Sequence, residues 1–157
     1  MRLLLQRVRH ASVQCEGREV SCIGPGLLVL AGFGAADGPE LPATKSWQTI
    51  LKKLVSLRIF PDMAGRMNED VLQHGGQLLV VSQFTLYADL RSGRRPSFSN
   101  AAPPQTARAL YDTLLTDLDA LAPGRVAGGV FGGDMDVTLL NWGPVTMQLD
   151  SADFAGP

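Results

Sequence analysis

The sequence predicts a single α/β domain, a largely antiparallel or mixed β-sheet carrying two main amphipathic helices, and three features of its 157 residues lead there. Short apolar runs closed off by glycine and proline read as strands. Two stretches that follow prolines carry apolar residues at steps of three and four, the pattern of a helix with one buried stripe. Hydrophobic residues make up 45% of the chain, which suits one real core and leaves little length for a second. The domain is drawn over 1–149, with a loose tail over 150–157.

Leu3 to Val8 reads as a strand, and Ser12 to Cys15 with Val20 to Ile23 as short strands around a Glu16-Gly17 turn. Gly26 to Gly32 is an apolar run bounded by glycines, as expected of a strand covered on both faces. After Pro42, a favoured first-turn residue, Trp47, Ile50, Leu51, Leu54 and Val55 form the first helical stripe. Arg58-Ile59-Phe60 reads as a strand ended by Pro61-Asp62. Gly75-Gly76 opens the run Leu78 to Val81, which passes directly into Ser82-Gln83-Phe84-Thr85.

Asp89 to Ala102 is a polar loop, and Pro103-Pro104 opens the second helix, with Ala107, Leu110, Tyr111, Leu114, Leu115 and Leu118 on one face and Pro123-Gly124 as its stop. Three strands follow, around Val126 to Phe131, Met135 to Leu140 and Val145 to Leu149. The last two read as a hairpin joined by the four-residue loop Asn141-Trp142-Gly143-Pro144. From Asp150 onward apolar residues are few, and the tail reads as loose.

Charged residues are 18% of the chain and the net charge is −1, which excludes a disordered chain and a strongly basic nucleic-acid protein. Arg91, Arg94 and Arg95 lie close together, and Lys45, Lys52, Lys53 and Arg58 spread along another segment; both read as solvated faces that could also touch phosphate. Cys15 and Cys22 form no CxxC pair and no zinc spacing, and read as reduced, buried thiols. Asp134 and Asp136 match no metal motif, so neither metal nor cofactor is expected. The opening apolar run is too short for a signal peptide and no segment is long enough for a membrane span, which points to the cytoplasm.

The chemistry-bearing signal is the junction at Ser82. A central strand rarely takes up several polar side chains unless they find partners or open into a cleft, since burying an unpaired hydroxyl or amide costs about 1–3 kcal/mol. Strand alternation would put Ser82 and Phe84 on one side and Gln83 and Thr85 on the other. The alternative is an ordinary strand end with satisfied polar groups. His10 and His74 both read as surface residues outside any triad, and there is no G-x-S-x-G elbow. A hydrolase of this composition would lean on positioning, oxyanion stabilisation and a group supplied by its substrate. Gly143-Pro144 is either a plain tight turn or a place where backbone carbonyls approach a ligand. Trp47 and Tyr111 read as core.

Taken together, Gln6-Arg7-Val8 with Ala11-Ser12-Val13, Gly24-x-Gly26-Leu27-Leu28, Arg58-Ile59-Phe60, Met67-Asn68, Ser82-Gln83-Phe84-Thr85-Leu86, Arg95-Pro96-Ser97-Phe98 and Asn141-x-Gly143-Pro144-Val145-Thr146 resemble the D-aminoacyl-tRNA deacylase (D-tyrosyl-tRNA deacylase) family, in the family's order and over nearly the whole chain. The resemblance implies a twofold homodimer with its active site at the subunit interface, acting on the 3′ end of aminoacyl-tRNA. Ser82, Gln83, Phe84 and Thr85 would line the pocket of one subunit, with amides near Phe84 and Thr85 as oxyanion donors. Gly143-Pro144, in cis, would reach into the partner's pocket and reject L-residues, so that D-aminoacyl- and glycyl-tRNA are cleaved. Arg7 would brace that loop, Phe131 and Met135 would lie near the pocket, and Asn141 and Thr146 would belong to the binding or bracing set. The sequence departs from the family's pattern at Trp142, usually aspartate, and at Gly133, commonly alanine. Two other readings stand beside this one: an L-alanyl- or glycyl-specific tRNA editor with a trans Gly-Pro bond, and a non-catalytic tRNA-binding dimer.

Overall fold

The apolar positions near the start of the chain build one long strand, β1 (Arg2–Cys15), around which the sheet of this computed structural model is organised; residues 1–154 are described. Along one edge β1 pairs in turn with β3 (Gly26–Gly32) and β2 (Arg18–Ile23), both antiparallel. Along the other it pairs with β8 (Met135–Asp150), from Arg2 opposite Asp150 to Cys15 opposite Met135. On the far side of β3 lie β6 (Gln77–Ser82) and then β7 (Val126–Gly128), both parallel to their neighbours. Parallel pairing needs long crossovers, and the two helices lie in them: α1 (Lys45–Ser56) between β3 and β6, α2 (Pro104–Leu121) between β6 and β7. The sheet is therefore mixed.

Alternation divides the core in two. Leu27, Val29, Leu78 and Val80 face Trp47, Ile50 and Leu54 of α1 and Leu110, Leu114 and Leu118 of α2. Leu28, Leu79 and Val81 face the opposite way, into a second cluster with Val8, Ala11 and Val13 of β1 and Ile23 of β2, flanked by Met135, Val137 and Leu139 of β8. Strands thus cover the face of β3 and β6 that the helices leave open, and Ser21 Oγ closes the fold by donating to the Gly128 carbonyl at 2.9 Å.

Several local expectations are corrected. Pro42 sits in a separate 3-10 turn, Leu41–Ala43, and α1 starts after Thr44, whose hydroxyl caps it by accepting from the Trp47 amide at 3.2 Å. The strand expected at Arg58 to Phe60 shrinks to β4 (Phe60–Pro61), paired with β5 (Met67–Glu69). The hairpin at Asn141 to Pro144 is absent: Gln6 pairs with Thr146 and Val8 with Asn141, so the Gly-Pro segment is a bulge inside one continuous strand. Local glycine and proline resemble a turn, but β1, more than a hundred residues away in sequence, supplies the partner on which β8 is built. The expected loose tail is corrected over Asp150 to Phe154, because Arg2 pairs with Asp150 at 2.9 Å and the 3-10 turn Ser151–Phe154 begins with a buried Ser151 whose amide donates to the Met1 carbonyl. Residues 155–157 lie outside the described residues.

Candidate active site

The ladder of β6 ends at Ser82, with the Gln83 amide making a final bond to the Ala31 carbonyl at 2.7 Å. Here the strand reading fails: Phe84–Tyr87 is a 3-10 turn, so the alternation expected from Ser82 to Thr85 stops after its first residue. The change frees donors. A helical turn leaves its first amides without internal acceptors, and those of Phe84 and Thr85 have no hydrogen-bond partner among the described residues, while Leu86 and Ala88 return to the carbonyls of Gln83 and Thr85. The Gln83 side-chain amide donates to the Thr85 hydroxyl.

Two cavities meet this turn. One, of about 500 Å³, is lined by Ser82, Gln83 and Phe84 together with Phe98, Ala107 and Phe131. The other, of about 250 Å³, shares Ser82, Gln83 and Phe84 and adds Gly133, Asp134 and Met135. Phe84 and Phe98 meet edge to face at 4.9 Å and are both exposed, a pair of aromatic surfaces at the opening. Phe131 is tilted against Tyr111 at 5.8 Å, and Met135 Sδ accepts from the Val130 amide at 3.3 Å. Close approach here requires glycine at position 32, where a β-carbon would fall 2.8 Å from the Gln83 carbonyl oxygen.

A second constellation surrounds the bulge of β8. The Gly143-Pro144 peptide bond is cis and both residues are exposed. Arg7, buried in β1, donates from Nε to the Trp142 carbonyl at 3.0 Å and from Nη1 to the Ile59 carbonyl, so it ties the bulge to the segment before β4. Burial, and secondarily the charge of Arg9, lowers the pKa of this guanidinium. The Asn141 side chain donates to Thr146 Oγ1 at 3.0 Å, and its buried Oδ1 has no partner among the described residues. Trp142 is covered by the Arg9 and Arg7 guanidiniums, at 3.5 and 4.4 Å from its ring centre.

Ser82, Gln83, Phe84, Phe131 and Met135 are thus brought around adjoining cavities, with Thr85 exposed on the same turn. Arg7, Asn141, Gly143, Pro144 and Thr146 form a separate group that lines neither cavity. Sequence reasoning misplaced His74, which is half-buried: its ring stacks on Phe60 at 4.8 Å, lies 5.7 Å from Trp142, and meets Glu69 at 3.3 Å. Cys22 is exposed and Cys15 half-buried: Cys15 is the last residue of β1 before the Glu16-Gly17 turn, and Cys22 precedes the buried Ile23 on β2, so alternation turns it away from the core. The lining by Ala31, Gly32 and Ala101 to Pro104 went unread, since nothing in an apolar strand end or a proline pair marks a cavity wall.

A family profile described as D-Tyr-tRNA(Tyr) deacylase matches residues 4–150. A protein named D-aminoacyl-tRNA deacylase from Solidesulfovibrio magneticus is 60% identical over 156 residues, covering 99% of both chains. One of the same name from Nitratidesulfovibrio vulgaris (strain DP4) is 58% identical over 153 residues, 98% of this chain and 94% of its own. Among solved structures, one described as c-Myc DNA Unwinding Element Binding Protein superposes with a TM-score of 0.86 at 34% identity, covering 96% of this chain and 98% of the other.

Proposed function

This chain belongs to the D-Tyr-tRNA(Tyr) deacylase family, and from that premise we propose that it hydrolyses the ester of D-aminoacyl-tRNA, and of glycyl-tRNA, at a site completed by a second copy of itself. Membership makes it a carboxylic ester hydrolase that releases D-amino acids from tRNA. The observation that carries the finer reading is the division of the site residues. Phe84, whose amide is free, lines both cavities and Thr85, also with a free amide, follows it on the same turn, while the exposed Gly143-Pro144 bulge belongs to another part of the same protomer. A twofold dimer would satisfy both halves twice, each protomer lending its bulge to the other's cavity.

The reaction needs little machinery, because an aminoacyl ester is already activated. A water oxygen bonds to the ester carbonyl carbon, and the negative charge on the carbonyl oxygen is met by the amides of Phe84 and Thr85. Collapse of that intermediate breaks the bond to the ribose oxygen, which leaves with a proton. The neighbouring 2′-hydroxyl of the terminal adenosine is placed to assist, so no His base is required.

Chirality is read by main chain. An enzyme that accepts many D-residues cannot grip the side chain, so it must exclude the wrong direction of the β-carbon. Carbonyls of Gly143 and Pro144 act as that barrier, and a thousandfold rejection of L-esters needs only about 4 kcal/mol. Glycine has no β-carbon and passes. Aminoacyl-tRNA is a substrate of the cytoplasm, which is the ground for assigning the protein there. The test is release of amino acid from D-tyrosyl-, glycyl- and L-tyrosyl-tRNA by the purified protein. Cleavage of the first two and not the third supports the reading; failure on glycyl-tRNA at any enzyme concentration refutes a barrier that acts only on L-substituents.

A further inference from the structure

We infer that Trp142 is a positioning residue whose ring, held by the Arg7 and Arg9 guanidiniums, fixes the Gly143-Pro144 bulge in the pose that sets the preference between D- and L-esters. The inference rests, for its stereochemical part, on the reading of Gly143-Pro144 proposed above.

A bulge has to be held by something other than the ladder. Between Asn141, paired with Val8, and Thr146, paired with Gln6, the residues 142–145 have no partner on β1. Val145 anchors one end by burial, and Arg7 holds the main chain at Trp142 through Nε. The Asn141 side chain closes the base of the bulge by donating to Thr146 Oγ1 at 3.0 Å, and a further grip is on the indole. Arg9 lies 3.5 Å and Arg7 4.4 Å from its centre, Phe60 meets it edge-on at 6.2 Å, and His74 lies at 5.7 Å.

Two guanidiniums side by side repel, and neither Arg7 nor Arg9 is in an ion pair among the described residues. The negative π face of an indole attracts both without adding a charge. Arg9 reaches it because β1 is itself irregular between Val8 and Ala11, where three steps on β1 answer two on β8. An aliphatic residue at 142 would fill space but leave the two cations unopposed beside the bulge.

Three single variants of the full chain test this: Trp142→Phe, Trp142→Leu and Arg9→Gln. Two quantities are read, the ratio of kcat/KM for D-tyrosyl- over L-tyrosyl-tRNA and the amide hydrogen-exchange rate of the segment 142–147. Trp142→Leu is expected to lower the ratio about tenfold and to speed exchange by a similar factor, Arg9→Gln to do the same more weakly, and Trp142→Phe to keep both within about twofold of the parent. Equal behaviour of Phe and Leu, or an unchanged ratio and exchange rate in Trp142→Leu, overturns the inference. Should Trp142→Leu fail to fold, Arg9→Gln, a change at an exposed residue that removes the guanidinium and its charge, decides by the same two readings. A parent protein inactive on D-tyrosyl-tRNA would refute the functional reading instead, and the exchange rates alone would then decide whether the indole positions the bulge.

Discussion

The Tyr111 hydroxyl donates to the Val80 carbonyl at 2.8 Å and accepts from the Gly129 amide at 3.1 Å. One phenol on α2 therefore pins the seam between β6 and the end of β7, two residues before Ser82. Burial pushes its pKa up to about 12, against the opposing pull of the Gly129 bond. The unfolded chain ionises near pH 10, so between about pH 10 and 12 the folded state binds the extra proton. Stability from this group is complete below that window and falls as pH rises through it, at about 1.4 kcal/mol per pH unit. Tyr87 is raised as well, chiefly by burial with Asp37 adding to it, so both phenols contribute to the slope. Tyr111→Phe is expected to cost about 1 kcal/mol at pH 8 and to lessen the loss of stability between pH 10 and 12. Urea unfolding at both ends of the window measures this; an unchanged slope would contradict the assignment to Tyr111.

Gly133 and Cys15 are fitted to one another. A β-carbon at Gly133 would lie 2.9 Å from Cys15 Sγ, closer than packed atoms tolerate, and 3.3 Å from Val130 Cβ, a tight contact. Gly133→Ala is expected to destabilise by about 1–2 kcal/mol through overpacking. In the double variant with Cys15→Ala most of that cost should disappear, since the sulfur is the nearer obstacle. Denaturant midpoints of the four proteins in the cycle give the coupling, and additive effects would show that the two side chains do not share the space.

If the amides of Phe84 and Thr85 carry the oxyanion, the Thr85 hydroxyl is dispensable. It accepts from Gln83 and has no hydrogen-bonded base among the described residues. Thr85→Ala should retain deacylation of D-tyrosyl-tRNA within about tenfold, whereas loss of a nucleophile costs several thousandfold or more. Single-turnover rates on the two proteins separate these outcomes.

How much of this was legible in the sequence varied with the range of the interactions involved. The stripes of Trp47 to Val55 and Leu110 to Leu118 and the doubly covered strand Gly26 to Gly32 are set by local periodicity, and they were read correctly. Asn141 to Pro144 was misread because a bulge and a turn use the same residues and differ only in whether a distant strand continues alongside. His74 was misread for the same reason: its exposure depends on Phe60 and Trp142, which no spacing rule connects to it. At Ser82 the polar run marked the right place while its geometry was wrong, since the switch from strand to 3-10 turn, which frees the two amides, has no signature in Ser-Gln-Phe-Thr itself.

The cross-subunit reading makes a prediction that a site within one protomer cannot share. Phe84→Pro removes one free amide outright, because proline has no N–H. Gly143→Ala disturbs the bulge, since Gly143 has φ +128° and a β-carbon there would fall 2.8 Å from Arg7 Nη2 and 2.9 Å from Val145 Cγ2. Each variant alone should lose at least about a hundredfold in kcat/KM on D-tyrosyl-tRNA. Unfolded together at equal concentration and refolded, half of the dimers would be mixed. In a mixed dimer one site contains both defects and the other neither, so the mixture should recover about a quarter of the parent activity. A site confined to one protomer would recover nothing, because every protomer in the mixture carries a defect. Size-exclusion chromatography with light scattering on the same samples verifies that the dimers have formed, and a mixture of dimers without activity would dismiss the lent bulge.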